Sequence, residues 1–188
     1  MSINGSMNRV TRSHEEARIS YNKISKWYDI ASSFERKFRE KGLQKLAVKE
    51  GEKVLEIGFG TGQCIIPLAR LVSDSGRVYG IDISEGMLDI TLSRIRRSEL
   101  SGRVELFLGD GASLPFDSNS FDAILMNFTL ELFDTPEIFT VLKECRRVLH
   151  TGGRICVVAL SKKGAGITLQ LYEWARRMLP KYIDCRPI

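Results

Sequence analysis

The sequence predicts a doubly wound α/β fold, a mostly parallel sheet covered by helices on both faces. Three observations predict it. Short runs rich in Val, Ile and Leu, bounded by turn residues, recur along the chain. Amphipathic helical patterns fall between most of them. The first run ends in a glycine-rich turn that leads straight into a helical pattern, the way such sheets open a ligand site.

Taken in order, residues 1–15 are polar and lack apolar periodicity, so residues 1–20 are expected to form a disordered or artificially appended tail. From Ile24 the apolar positions Trp27, Tyr28, Ala31, Phe34 and Phe38 follow at helical spacing, interrupted near Ser32 and Ser33. Residues 21–50 are therefore assigned to an amino-terminal helical lid, with 42–50 leading into the first strand, and residues 51–188 to the core. Strands are expected at KVLEI (53–57), RVYGID (77–82), RVELFLG (103–109), FDAILMN (121–127) and RICVVAL (154–160). Helices are expected at 63–72, at 85–97 behind the N-cap Ser84, and at 136–149, which opens on a proline and closes before Thr151-Gly152-Gly153.

The bulk properties narrow the function classes. No apolar stretch is long enough to span a bilayer and the amino terminus has no signal-peptide core, so a cytoplasmic protein is expected. Cys64, Cys145, Cys156 and Cys185 are dispersed without a CxxC pair, and only His14 and His150 are present, so the cysteines are expected to pack as thiols and no metal site is expected. Residues 51–160 carry 11 Lys/Arg against 15 Asp/Glu, whereas residues 1–50 carry 11 against 6 and residues 161–188 carry 6 against 2. Basic flanks suit peripheral contact with an anionic surface, but no stacking aromatics or nucleic-acid motif accompany them, so nucleic acid is not expected as a partner.

VLEIGFGTG (54–62) raises the chemical question, because Glu56 stands inside a buried strand just before Gly58, Gly60 and Gly62. The glycines let the backbone turn tightly and approach a ligand, and the following helix points its free N–H groups at it. A dinucleotide fingerprint would place the third glycine one residue later. Asp82 ends the second strand, 20 residues beyond Gly62, where a carboxylate can accept both ribose hydroxyls. Asp110 and Gly111 end the third, where a carboxylate and a bare backbone can read an adenine edge.

These motifs, with YGIDIS, GDGASLPF, FDAILMNFTLELF and LKECRRVLHTGGR, resemble in order and spacing a class I S-adenosylmethionine-dependent methyltransferase. The resemblance is strongest to the small-molecule branch that includes ubiquinone/menaquinone-biosynthesis methyltransferases. It implies a Rossmann-like core, S-adenosyl-L-methionine as cofactor, and methyl transfer by in-line displacement to a small-molecule acceptor. It implies that Glu56 holds the methionine amino group and that Gly58, Phe59, Gly60, Thr61 and Gly62 wrap the methionine and ribose. Asp82 would bind the ribose, Ile83 and Met87 would pack near the adenine, and Asp110 and Gly111 would read its edge. Asn127 and Phe128 would reach the cofactor from the fourth strand, and Tyr21 and Tyr28 from the lid. Methyl transfer asks the protein mainly for alignment and exclusion of water, so no catalytic residue is nominated.

The family core usually has seven strands, and after the fifth this chain offers a helical pattern, GITLQLYEWARRMLPKY, in place of the last two. An uncovered sheet edge and the apolar Leu169, Tyr172, Trp174 and Met178 predict association, as a homo-oligomer or with another subunit, or a shortened chain. Two other readings compete: a non-catalytic S-adenosylmethionine-binding or partner-binding module, and a nicotinamide-dependent oxidoreductase, against which the early third glycine speaks.

Overall fold

The computed structural model describes Ile19 and residues 35–159. Five strands, β1 (Lys53–Ile57), β2 (Arg77–Asp82), β3 (Val104–Leu108), β4 (Phe121–Asn127) and β5 (Leu149–Val158), form one parallel sheet in the order β3-β2-β1-β4-β5. The chain walks outward from β1 to β3, then returns to β4 beside β1. The order reverses between β1 and β4, which opens a crevice at their carboxyl ends.

Four α-helices whose full extent lies among the described residues accompany the sheet: α1 (Arg36–Leu46), α2 (Ile65–Leu71), α3 (Glu85–Arg97) and α4 (Thr135–Val148). Side-chain alternation along β1 divides the core in two. Val54 joins Leu46 of α1, Ile65 and Leu68 of α2, and Met87 and Ile95 of α3 on one face. Leu55 and Ile57 join Ile124 and Met126 of β4 with Val141, Cys145 and Val148 of α4 on the other. The expected fold, with helices on both faces, is what forms.

Local chemistry sets the boundaries. Ser84 caps α3 by accepting from the Met87 N–H at 3.2 Å. Asp134 and Glu137 form a capping box on α4, in which Glu137 Oε2 accepts from the Asp134 N–H at 3.1 Å. The helix expected at 63–72 is shorter, because Gly62 keeps φ at +79° and the regular helix begins only at Ile65. The expected third strand loses one residue at each end.

Two elements differ more. β5 begins at Leu149, five residues earlier than expected, because Leu149 already pairs with Phe121; Gly152, with φ at +84°, absorbs an irregular register before Arg154 pairs with Ala123. His150 therefore lies in a strand, not in a turn, at the end of the sheet away from the crevice. The segment 42–50, expected to lead into the first strand, is helical as far as Leu46. Its Gly42 closes on β5, where a Cβ would meet Val158 Cγ2 at 2.5 Å. Arg154 of β5 donates to the Leu46 and Ala47 carbonyls and to both carboxylate oxygens of Glu52, tying the end of α1 to the sheet.

The pattern positions Ile24, Trp27, Tyr28, Ala31 and Phe34, the candidate Tyr21, and the segment after residue 159 lie outside the described residues. Cys64, Cys145 and Cys156 are free thiols, and among the described residues no cluster of His, Cys, Asp and Glu could hold a metal ion. No described helix is long and apolar enough to cross a membrane.

Candidate functional site

Two cavities meet at the carboxyl ends of β1 and β4, sharing Gly58, Gly60 and Asn127 in their walls. The first runs toward β2 and β3 and is walled by Asp82, Ile83, Met87, Asp110, Gly111 and Phe128, with Leu132 and Phe133 beyond. The second lies under α1 and is lined by Glu56, Phe59 and Thr61 together with Glu35, Arg39 and Cys64.

The turn after β1 is built for close approach. Gly58 has φ at +74° and packs so tightly on the Thr129 side chain that no Cβ could be accommodated. Gly60 has φ at +51°, and nothing lies within 4 Å of the position a Cβ would take there, so its face is open. Its N–H donates to Asp82 Oδ2 at 2.8 Å, while the Ser84 N–H donates to Asp82 Oδ1 at 2.9 Å. Burial nevertheless outweighs these hydrogen bonds and pushes the Asp82 carboxyl up to about 6. Thr91 Oγ1 and an Arg94 guanidinium N–H donate to the Gly60 and Thr61 carbonyls, each at 2.8 Å, fixing the far side of the turn.

At the end of β3, Asp110 Oδ1 accepts from the Ala112 N–H at 2.8 Å and shapes the following turn. Gly111 lies against Ile57 and Phe133; a Cβ would come within 2.7 Å of Ile57 Cγ2 and 3.1 Å of Phe133 Cζ. The loop beyond is anchored to α4: Glu144 accepts from the Leu114 N–H at 3.0 Å, and Arg147 donates to the Phe116 and Leu114 carbonyls.

Glu56 answers the question raised by its sequence. Alternation places it on the same face as Val54, so it points under α1 and not into the α4 side of the core. It is 2% exposed, and its Oε2 has no hydrogen-bond partner. Burial drives its carboxyl well above the usual carboxylate range; a Cys64 hydrogen bond and the Arg39 charge oppose this, and the Asp82 charge adds to it. Asn127 Oδ1, at the junction of the cavities, is likewise buried without a partner. Buried acceptors left open are costly unless a donor arrives, and a ligand ammonium is a donor of the required kind.

Phe128 carries strain into the same place. Its φ of +53° lies in the left-handed region, unfavourable for an aromatic residue, while its N–H donates to the Val158 carbonyl at 2.7 Å. Its ring meets that of Phe38 edge-on at 6.5 Å.

The structure thus brings Glu56, Gly58, Phe59, Gly60, Thr61, Asp82, Ile83, Met87, Asp110, Gly111, Asn127 and Phe128 to the two cavities. Gly62 lines neither; it faces Thr91, whose Cγ2 a Cβ would approach to 2.7 Å. Tyr28, like Tyr21, lies outside the described residues. Sequence reasoning missed Glu35 and Arg39, whose only signal was charge within a helical pattern, and Thr129, which follows the recognised strand.

Comparison with known proteins bears on the chemistry. The profile of the ubiE/COQ5 methyltransferase family matches residues 9–183. A demethylmenaquinone methyltransferase of Geobacillus sp. (strain WCH70) is 33% identical over 168 residues, covering 86% of this chain and 70% of the relative. The Bacillus subtilis (strain 168) protein of that name is 35% identical over 147 residues, covering 76% of this chain and 62% of the relative. The crystal structure of a SAM-dependent methyltransferase from Aquifex aeolicus superposes with a TM-score of 0.66 at 25% identity, covering 86% of this chain and 87% of that one. None of these matches favours a non-catalytic module or a nicotinamide enzyme. The chain belongs to the ubiE/COQ5 methyltransferase family, and its cofactor is S-adenosylmethionine.

Proposed function

We propose that this chain transfers the methyl group of S-adenosylmethionine to an apolar, aromatic acceptor of the demethylmenaquinone kind. The observation that carries the reading is the pair of buried open acceptors, Glu56 Oε2 and Asn127 Oδ1, where the two cavities meet. They suit the ammonium of a methionine lying along the glycine turn. Asp82, its carboxylate held by the Gly60 and Ser84 N–H groups, would take the ribose hydroxyls. Ile83 and Met87, which line the first cavity, would flank the adenine, and Asp110 and Gly111 would meet its edge.

When bound, the cofactor supplies a methyl group already activated on a sulfonium. The residues of the chain bind, align and keep out water. Phe128, Leu132 and Phe133 give the mouth an apolar wall, which suits a flat hydrophobic ring better than a charged acceptor. The names of the relatives support the quinone class, since both are demethylmenaquinone methyltransferases. A cytoplasmic location with transient contact at an anionic membrane surface fits such an acceptor and the basic flanks.

The test is incubation of the chain with S-adenosylmethionine and a short-chain reduced demethylmenaquinone. Mass spectrometry would follow S-adenosylhomocysteine and the methylated ring. Equal yields of both, lost in Asp82→Ala, are expected. Cofactor binding without product on this acceptor, but with product on an amine or a simple phenol, would replace the acceptor class and keep the cofactor site.

A further inference from the structure

Between β3 and β4 the chain runs through turns from Asp110 to Ser120, and its first two residues, Asp110 and Gly111, wall the first cavity. A loop can settle in more ways than a strand end, yet reading the edge of a base needs a donor and an acceptor held in one place. Helix α4 supplies the hold. The Leu114 N–H donates to Glu144 Oε2 at 3.0 Å, while Arg147 donates to the Leu114 carbonyl at 3.0 Å and to the Phe116 carbonyl at 2.6 Å. Arg147 also grips Glu144 through two parallel bonds of 2.8 and 2.7 Å, so the two side chains, one turn apart on α4, act as a unit. The same contact holds the Glu144 carboxyl below its ordinary value. Further along the loop, the Phe116 ring meets Tyr79, Phe107 and Phe121 edge-on, and the Asn119 and Ser120 N–H groups donate to the Arg147 and Val148 carbonyls at the end of α4.

From Leu114 back to Asp110 only Gly111, Ala112 and Ser113 intervene, and they form a tight turn. The Ala112 N–H donates to Asp110 Oδ1 at 2.8 Å and the Ser113 N–H to the Asp110 carbonyl at 3.1 Å. Gly111 has no room to slide toward the sheet, because Ile57 and Phe133 close on it. The charged pair thus lines neither cavity, yet it fixes the place of two residues that wall one.

We propose that Glu144 and Arg147 are positioning residues for base selection: by fixing Leu114 they hold Asp110 and Gly111 in the register that accepts an adenine edge and rejects a 6-oxopurine. The proposal rests on the cofactor reading above and adds to it what makes that edge selective. Adenine offers an amino donor at position 6 and an acceptor at N1, whereas hypoxanthine offers a carbonyl and an N–H. A carboxylate and a backbone N–H match the first and oppose the second. A loop free to drift would lose the match, and with it the penalty on the mismatch. Arginine suits the task because its fork reaches two carbonyls and a carboxylate at once.

The test compares S-adenosylhomocysteine with S-inosylhomocysteine, which differ only in the base, by calorimetric titration and displacement on the full chain and on Arg147→Met. The unsubstituted chain should prefer the adenosyl ligand by about 100-fold or more. Arg147→Met should bind S-adenosylhomocysteine about 10-fold more weakly and S-inosylhomocysteine within about twofold of the unsubstituted chain, so the preference should fall about 10-fold. An unchanged preference in the variant would overturn the proposal, whether both affinities stay or both fall alike, since the pair would then only satisfy the backbone of the loop. If Arg147→Met does not fold, Glu144→Gln takes its place, with a reduced preference as the supporting result and an unchanged one as the refuting result. Absence of any preference in the unsubstituted chain would also overturn the proposal, on separate ground, because the adenine-edge reading beneath it would have failed.

Discussion

Asp82→Asn separates what the site costs the fold from what it does for the ligand. Without ligand, burial holds the Asp82 carboxyl up at about 6 against an ordinary value of 3.8. Because the folded-state value is the higher one, protonation favours the fold. The associated stability is fully present below pH 3.8 and is lost as pH rises through about 6. The difference corresponds to at most about 3 kcal/mol held against the ligand-free protein at pH 8, of which about 1.4 kcal/mol develops between pH 5 and pH 8. Asparagine cannot ionise, so this slope disappears in the variant. It keeps one acceptor for the Gly60 or Ser84 N–H and loses the other, a roughly pH-independent cost of about 1–2 kcal/mol. The melting temperature of Asp82→Asn relative to the unsubstituted chain should therefore climb by about 3–6 °C from pH 5 to pH 8. Scanning calorimetry without ligand across that range measures it. Repetition with S-adenosylhomocysteine should reverse the ranking, because the ligand stabilises the unsubstituted chain by mass action and the variant hardly at all. A flat difference across the range would refute the titration argument, and equal ligand stabilisation in both proteins would refute the assignment of Asp82 to the ribose.

Three further outcomes follow from the geometry. Glu56→Gln should weaken S-adenosylhomocysteine binding about 10- to 100-fold in calorimetric titration, while raising ligand-free stability at pH 8, since the buried carboxylate no longer has to ionise. Gly58→Ala forces a Cβ into Thr129 at a positive φ, so urea unfolding should show a loss of about 2–4 kcal/mol and cofactor binding should fail. Arg154→Met removes the bonds to Leu46, Ala47 and Glu52. With Arg154 still 32% exposed, a loss of about 2–3 kcal/mol in urea unfolding is expected, together with weaker S-adenosylhomocysteine binding, because α1 walls the second cavity.

The sheet was legible where the local pattern and the tertiary environment ask for the same thing. In β1, β2 and β4 the branched apolar runs are buried on both faces, and the expected and observed bounds coincide. β5 escaped at its start because Leu149, His150 and Thr151 follow a helix without a break, and only pairing with Phe121 makes them a strand. The end of α1 escaped because Gly42 closes on β5 and Glu35 and Arg39 face the second cavity, placements that mean nothing until β5 and that cavity are beside them. Glu56 and Asp82 were legible because a carboxylate at the end of an apolar strand contradicts burial and demands a reason. Arg39 was not, since an arginine in a helix with several other cations carries no such contradiction.

The contact between Gly58 and Thr129 joins residues 71 apart in the sequence and closes the wall between β1 and β4. Such a join can form only after the chain has laid down β2 and β3 and come back, so it belongs to the late, non-local part of folding. The half of the site on β1 and β2, where Gly60 meets Asp82 across 22 residues, can assemble earlier, but it has one open side until β4 arrives. Cofactor present during folding therefore has little to hold in the transition state. Its effect falls on the rate at which the finished protein opens, which makes it a brake on unfolding and not a template for folding.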